Sequence, residues 1–258
     1  MSTDGAAVVR GTPTATTAPD RTGVAATSPS STAVVRTPWT VPADRGQATH
    51  PAATAPDSTE IAPGVWIAST TRADLAGSPT LAEDLADART QSAWRRGEFL
   101  AGRQLLRWLL RRVRPDLAAL PLRAEPAGKP RLAGAPDLPG ITVSHDGDRI
   151  AAAVCAHGDV GIDVQLPPAQ LSDSTVRRCL GRHAPVVAAL PRAWRAREFA
   201  WVWTVQEACV KAAGTGLAGR PWAIDVPPGA VSGHWGGFTW LSLRHRSAVP
   251  LSCAFPTR

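Results

Sequence analysis

The chain is 258 residues long, 44% hydrophobic, and carries 28 basic against 21 acidic side chains for a formal net charge of +7. Such a composition supports a real core in one large domain or two small ones, and no apolar run approaches the roughly 20 residues that span a bilayer, so a membrane protein is not expected. Four cysteines stand singly, Cys155, Cys179, Cys209 and Cys253, with no CxxC pair. Buried free thiols fit better than a disulfide framework or a zinc site, and with no compact apolar leader at the N-terminus the expected location is cytoplasmic.

Residues 1–60 are Ala, Thr, Pro and Ser with isolated charges ("TPTATTAPDRTGVAATSPSSTAVV"), without a period that could bury a face. They are expected to form a disordered tail. This segment holds four arginines and five acids, so the remainder carries 24 basic and 16 acidic residues, about +8. A cationic surface points to an anionic partner: nucleic acid, a phosphate-bearing cofactor or an acidic protein. Nearly every cation is arginine; only Lys129 and Lys211 are lysine.

From Ile61 the chain alternates between strand and helix signals. "IAPGVWIAST" reads as a first strand. "LAEDLADARTQSAWRRGEFLAGRQLLRWLLRRVRP" reads as helical, with Leu100, Leu105, Leu106, Leu109 and Leu110 as its apolar stripe and Pro115 as its end. "ITVSHDGDRIAAAVCAHGDVGIDVQL" reads as two strands, "IAAAVCA" and "VGIDVQL", with their connections. A second helical block runs from "STVRRCL" to "AAGTGL", broken at Pro185 and Pro191, and strands return in "WAIDV", "FTWLSLRH" and "LSCAF". Strand, helices, strands thus appears twice, which predicts an α+β fold of two similar halves meeting near His157 to Asp163 around a shared cleft.

Within "WTVQEACVKAAGTGL", Glu207 and Lys211 are four apart and project from one helix face, with Trp203 one turn earlier on the same stripe. An exposed ion pair is one reading of them. In "VGIDVQL", Asp163 and Gln165 share a strand face opposite Ile162 and Val164. A carboxylate among apolar neighbours needs a positive partner, and a divalent cation would serve, with Asp163 and Glu207 as carboxylates and Gln165 as a neutral oxygen; a turn or cap acid is the other reading of Asp163.

"GIDVQ" followed by "FAWVWTVQEACVKAAGTGL" resembles the signature motifs of the 4'-phosphopantetheinyl transferases, in particular the two-lobed surfactin type. The match runs through Gly161, Ile162, Asp163, Phe199, Trp203, Thr204, Glu207, Ala208, Lys211, Gly214 and Gly216. Two weaker elements, "GKPRL" at Gly128 to Leu132 and "VSHDGD" at Val143 to Asp148, stand in the expected order. The resemblance implies a pseudo-two-fold pair of α+β subdomains, a lobe of residues 61–158 contacting the coenzyme A nucleotide and a lobe of residues 159–258 carrying the metal and catalytic motifs. It implies a magnesium-dependent monomer that moves the phosphopantetheine arm of coenzyme A to a serine of an apo acyl, peptidyl or polyketide carrier protein, releasing 3',5'-ADP.

By the same resemblance, Asp163, Gln165 and Glu207 hold the metal, Lys211 meets the phosphates, and Glu207 can take the serine proton. Arg96 and Arg103, seven apart on one helix face, and Gly128, Lys129, Pro130, Ser144 and His145 contact the coenzyme. Arg107, Arg111 and Arg112 read better as a solvated amphipathic face, "GKP" alone as a turn, and His145 alone as a loop histidine. The family pattern often has an acid where this chain has Gln165, and a base where it has Gln206. Weaker metal affinity and a lost cation near the reaction centre are the expected effects. A coenzyme A-binding homologue without turnover is therefore a competing reading. A basic nucleic-acid module is another, but no nucleic-acid motif appears and the ten tryptophans sit mostly in apolar contexts.

Overall fold

The computed structural model describes residues 56–125, 128–135 and 137–258. Residues 1–55, most of the expected tail, lie outside the described residues. Strand β1 (Ser58–Ala62) already begins within that expected segment and turns at Pro63 and Gly64 into β2 (Val65–Thr71), so the single strand read from "IAPGVWIAST" is a hairpin arm pair. The predicted first helix divides into α1 (Ala82–Arg89) and α2 (Ala93–Val113), and the leucine stripe of α2 is fully buried at Leu105, Leu106, Leu109 and Leu110. A short hairpin, β3 (Leu122–Ala124) and β4 (Pro130–Leu132), leads to β5 (Gly140–Asp146) and β6 (Arg149–Cys155).

Strand β5 is an element the sequence reading missed. Its polar Ser144 and His145 disguise it, yet the signal stands in "DGD": Asp146 pairs with Arg149 across a two-residue turn whose Gly147 has φ +60°, the conformation such hairpins require. The four strands form an antiparallel sheet in the order β1-β2-β6-β5, with α2 packed on it.

The second sheet begins with β7 (Gly161–Val164) and continues after the helices α3 (Asp173–Leu180), α4 (Ala184–Ala188) and α5 (Arg192–Ala212). Pro185 sits in the first turn of α4, where its missing N–H costs nothing; the helical block instead breaks at Gly181, φ +50°, and again at Pro191, which caps α5. "WAIDV" is not a strand: Pro221–Ala223 form a 3-10 turn that tucks Ile224 and Val226 into the core. Strands β8 (Ser232–Trp235), β9 (Phe238–Ser242) and β10 (Leu251–Pro256) complete an antiparallel sheet ordered β7-β10-β9-β8, with α5 across it.

The two sheets share a core. Val65, Ile67, Ala151 and Ala153 of the first meet Ile162, Val164, Leu251 and Cys253 of the second, while α2 and α5 close separate cores on the outer faces. All four cysteines are free and buried. Strand β7 runs against α5 so closely that a Cβ at Gly161 would lie 1.9 Å from the Ala208 carbonyl oxygen and 2.4 Å from the Ala212 nitrogen. Glycine is required there by the closeness of helix and strand rather than by φ. Among the described residues no helix is long and apolar enough to cross a membrane.

Candidate active site

Alternation along β7 sends Ile162 and Val164 into the shared core and turns Asp163 to the other face. There it meets β5, whose Ser144 Oγ donates to Asp163 Oδ1 at 2.8 Å and accepts from the Val164 N–H at 3.3 Å. Lys211, from the last turn of α5, donates to Asp163 Oδ1 at 2.6 Å and to Ser144 Oγ at 3.0 Å. Strand acid, strand hydroxyl and helix ammonium thus form one closed triangle. Lys211 pairs with Asp163, which is 6% exposed, rather than forming an exposed bridge to Glu207.

Glu207 stands one turn before Lys211 on the same face. Its Oε1 is shut off from solvent and has no hydrogen-bond partner. Burial raises the Glu207 carboxyl above its usual range, the Asp163 charge adds to this, and Lys211 opposes it. Asp163 is raised by burial against the pull of Lys211 and Ser144. Two neighbouring carboxylates, one of them raised by the other's charge and left with an idle oxygen, form a site short of positive charge. Among the described residues no three Asp, Glu, His or Cys side chains gather as a metal cage. The donor set is instead two carboxylates with the amide of Gln165 in the same cleft, which suits magnesium, an ion usually held by one or two carboxylates plus waters and substrate phosphate.

These groups line a cleft of about 690 Å³ between α2, β5, β7 and α5. Every candidate named from the sequence lines it except Arg96, which is exposed and donates from Nε to the Ala88 carbonyl at 3.3 Å. The face that α2 presents is Arg95, Glu98, Phe99, Gly102, Arg103 and Leu106, a stripe at helical spacing that carries Arg95 in place of Arg96, with Gln91 just ahead of the helix. Sequence reasoning missed Arg95 and Glu98, though this spacing holds both. Arg103 lies over the Phe99 ring at 4.9 Å, loosely paired with Asp87 at 3.6 Å and Asp84 at 3.9 Å, and its Nη1 has no partner.

Three residues differ from expectation. Lys129 lines the cleft, but its buried ammonium donates to the Ala212 carbonyl at 2.6 Å and to Asp159 at 3.0 Å, which pins the β3–β4 hairpin to the C-terminal end of α5, a favourable place for a cation. Gln206 is 1% exposed and faces away from the cleft, with Nε2 donating to the carbonyls of Cys179 and Ile224, both at 2.9 Å. It therefore removes no cation from the reaction centre. Arg107 is not solvated but buried against Asp84, at 3.0 Å through Nε.

His145 opens into the cleft with Nδ1 3.6 Å from Glu98 Oε2. Burial lowers its pKa, Lys211 and Arg95 lower it further, and Glu98 opposes them. Trp203 also lines the cleft and stacks on Phe199 with ring centroids 6.3 Å apart.

Residues 159–241, which include Asp163, Glu207 and Lys211, match the family model of the 4'-phosphopantetheinyl transferase superfamily. A Synechocystis sp. protein provisionally named a 4'-phosphopantetheinyl transferase is 29% identical over 167 residues, 61% of this chain and 67% of that protein.

Proposed function

We propose that the protein is a 4'-phosphopantetheinyl transferase of the two-lobed surfactin type, a cytoplasmic monomer that moves the phosphopantetheine arm of coenzyme A to a serine of an apo acyl, peptidyl or polyketide carrier domain. The observation that carries this reading is the idle Glu207 carboxylate oxygen beside the Asp163–Lys211–Ser144 triangle, in a cleft lined by arginines. The family match over residues 159–241 and the free, buried cysteines support it. The lobes are taken as residues 61–158, for the coenzyme nucleotide, and 159–258, for the chemistry.

In the reaction the carrier serine oxygen bonds to the β-phosphorus of coenzyme A, the bond from that phosphorus to the bridging oxygen breaks, and 3',5'-ADP leaves. Asp163 and Glu207, with the Gln165 amide or a water, would hold magnesium, which supplies neutralisation of the pyrophosphate charge. Lys211 is fixed by Asp163 and Ser144 at the cleft wall, where its ammonium can meet a phosphate oxygen as a point charge. Glu207, raised by burial and by Asp163, is a stronger proton acceptor than an ordinary carboxylate and suits removal of the serine proton. Arg95 and Arg103 offer forked donors for the nucleotide phosphates.

The test is to mix protein, coenzyme A, magnesium and apo carriers of the acyl, peptidyl and polyketide classes and to read the phosphopantetheine mass on the carrier serine. Absence of an adduct with all three overturns the reading. Gln165, which leaves the metal set one charge poorer, favours a second reading, a homologue that binds coenzyme A without transferring it. Binding without an adduct would support that one.

A further inference from the structure

Glu98 poses a problem that the transferase reading leaves open. A carboxylate in a cleft built for polyphosphate repels the ligand unless another group answers its charge. Glu98 lies on the cleft-facing stripe of α2, two-tenths exposed, and its only charged partner among the described residues is His145, with Nδ1 3.6 Å from Oε2. Arg95 from α2 and Lys211 from α5 also bear on the imidazole, as does Asp146 from its own strand. Without an anion, burial and the two cations keep the ring neutral, and Glu98 is the main group opposing them. An arriving phosphate answers Arg95 and Lys211, which leaves burial as the one influence against the charged ring, and adds its own negative charge to that of Glu98.

We propose, resting on the reading above, that Glu98 is a positioning residue: it holds the Nδ1 edge of His145 so that Nε2 faces the cleft and takes up a proton from solvent as a coenzyme phosphate arrives. The acid thus converts a neutral ring into a cation at the moment of binding. This explains why an anion site keeps a carboxylate on its wall.

The experiment is calorimetric titration of the protein with coenzyme A, without metal, in mildly alkaline buffers of differing ionisation heat. The wild-type protein is expected to take up about one proton on binding. Glu98→Gln is expected to lose most of that uptake and to bind coenzyme A about tenfold more weakly, the equivalent of one unit of imidazole pKa. A merely repulsive acid predicts the reverse, tighter binding by Glu98→Gln, and that result overturns the inference. So does unchanged uptake in Glu98→Gln or in His145→Gln. A second measurement needs no variant of Glu98: the His145 imidazole resonance of the wild-type protein, identified by its loss in His145→Gln, should titrate at higher pH with coenzyme A bound, and a fixed titration point overturns the inference. Failure of the wild-type protein to bind coenzyme A at all would instead defeat the transferase reading.

Discussion

Arg107 on α2 and Lys211 on α5 each meet a buried aspartate, yet the two pairs are finished differently. Arg107 places Nε and Nη2 on the two oxygens of Asp84, at 3.0 and 3.2 Å, and Nη1 on the carbonyls of Ala118 and Leu120 at 3.0 and 2.5 Å. Each of its donor nitrogens is used, and the guanidinium ties α1, α2 and the following turn together. The Lys211 pair lies beside a second acid whose oxygen has no partner. A forked donor closes a charge site, whereas a single ammonium bonded to one of two neighbouring carboxylates leaves a deficit that a ligand can fill. The same chemistry builds scaffold at Arg107 and the proposed binding centre at Lys211.

This contrast can be broken by substitution. Arg107→Met leaves Asp84 buried with only the looser Arg103, 3.9 Å away, and should cost about 3–5 kcal/mol in denaturant unfolding, most of it recovered in the double variant with Asp84→Leu. Should the single change cost nothing, the Arg107 pair is no scaffold. Asp163→Asn should lower kcat/KM for transfer by roughly 10²–10³-fold with no fall in melting temperature, since it removes a charge that burial already disfavours. A melting temperature that drops as far as in Arg107→Met would erase the distinction. Gln206→Arg installs the base common in the family pattern, but into a buried pocket between two carbonyls. It should bring no gain in rate and a loss of about 1–3 kcal/mol, read by parallel assay and unfolding.

The smallest effect concerns pH. Because the folded state raises the Glu207 carboxyl, the stability it contributes is present below the ordinary carboxylate range and is lost as pH rises through the raised value. Glu207→Gln escapes that loss. In chelator its melting temperature should exceed that of the wild type by roughly 2–4 °C at neutral pH and converge with it in acid. A constant difference across pH would remove Glu207 from the charge deficit.

What could be read from the sequence was what local periodicity controls. Asp163 with Gln165, and Glu207 with Lys211, follow from periods of two and of about four, and four leucines of the α2 stripe are buried as it predicts while Leu100 is only half-buried. Partners far away in the chain were not legible. Nothing local to Lys129 announces the Ala212 carbonyl, 83 residues on, and nothing around Arg107 announces Asp84, 23 residues back. Gln206 was misjudged because α5 is buried on most sides, so a polar residue there can face a core carbonyl as easily as a cleft. Arg96 stands in a heptad relation to Arg103, but the phase of the whole cleft-facing stripe puts Arg95 at the cleft.

The contact at Gly161 sets a limit on how this chain can vary. With the helix backbone pressed against a bare α-carbon, that spot acts as a fixed spacer, and the distance between Asp163, two residues along the strand, and Glu207, one residue before Ala208, is measured from it. Adding one methyl group there would push the two acids apart together with the elements that carry them. The proposed clasp on a shared cation would then be lost well before the fold.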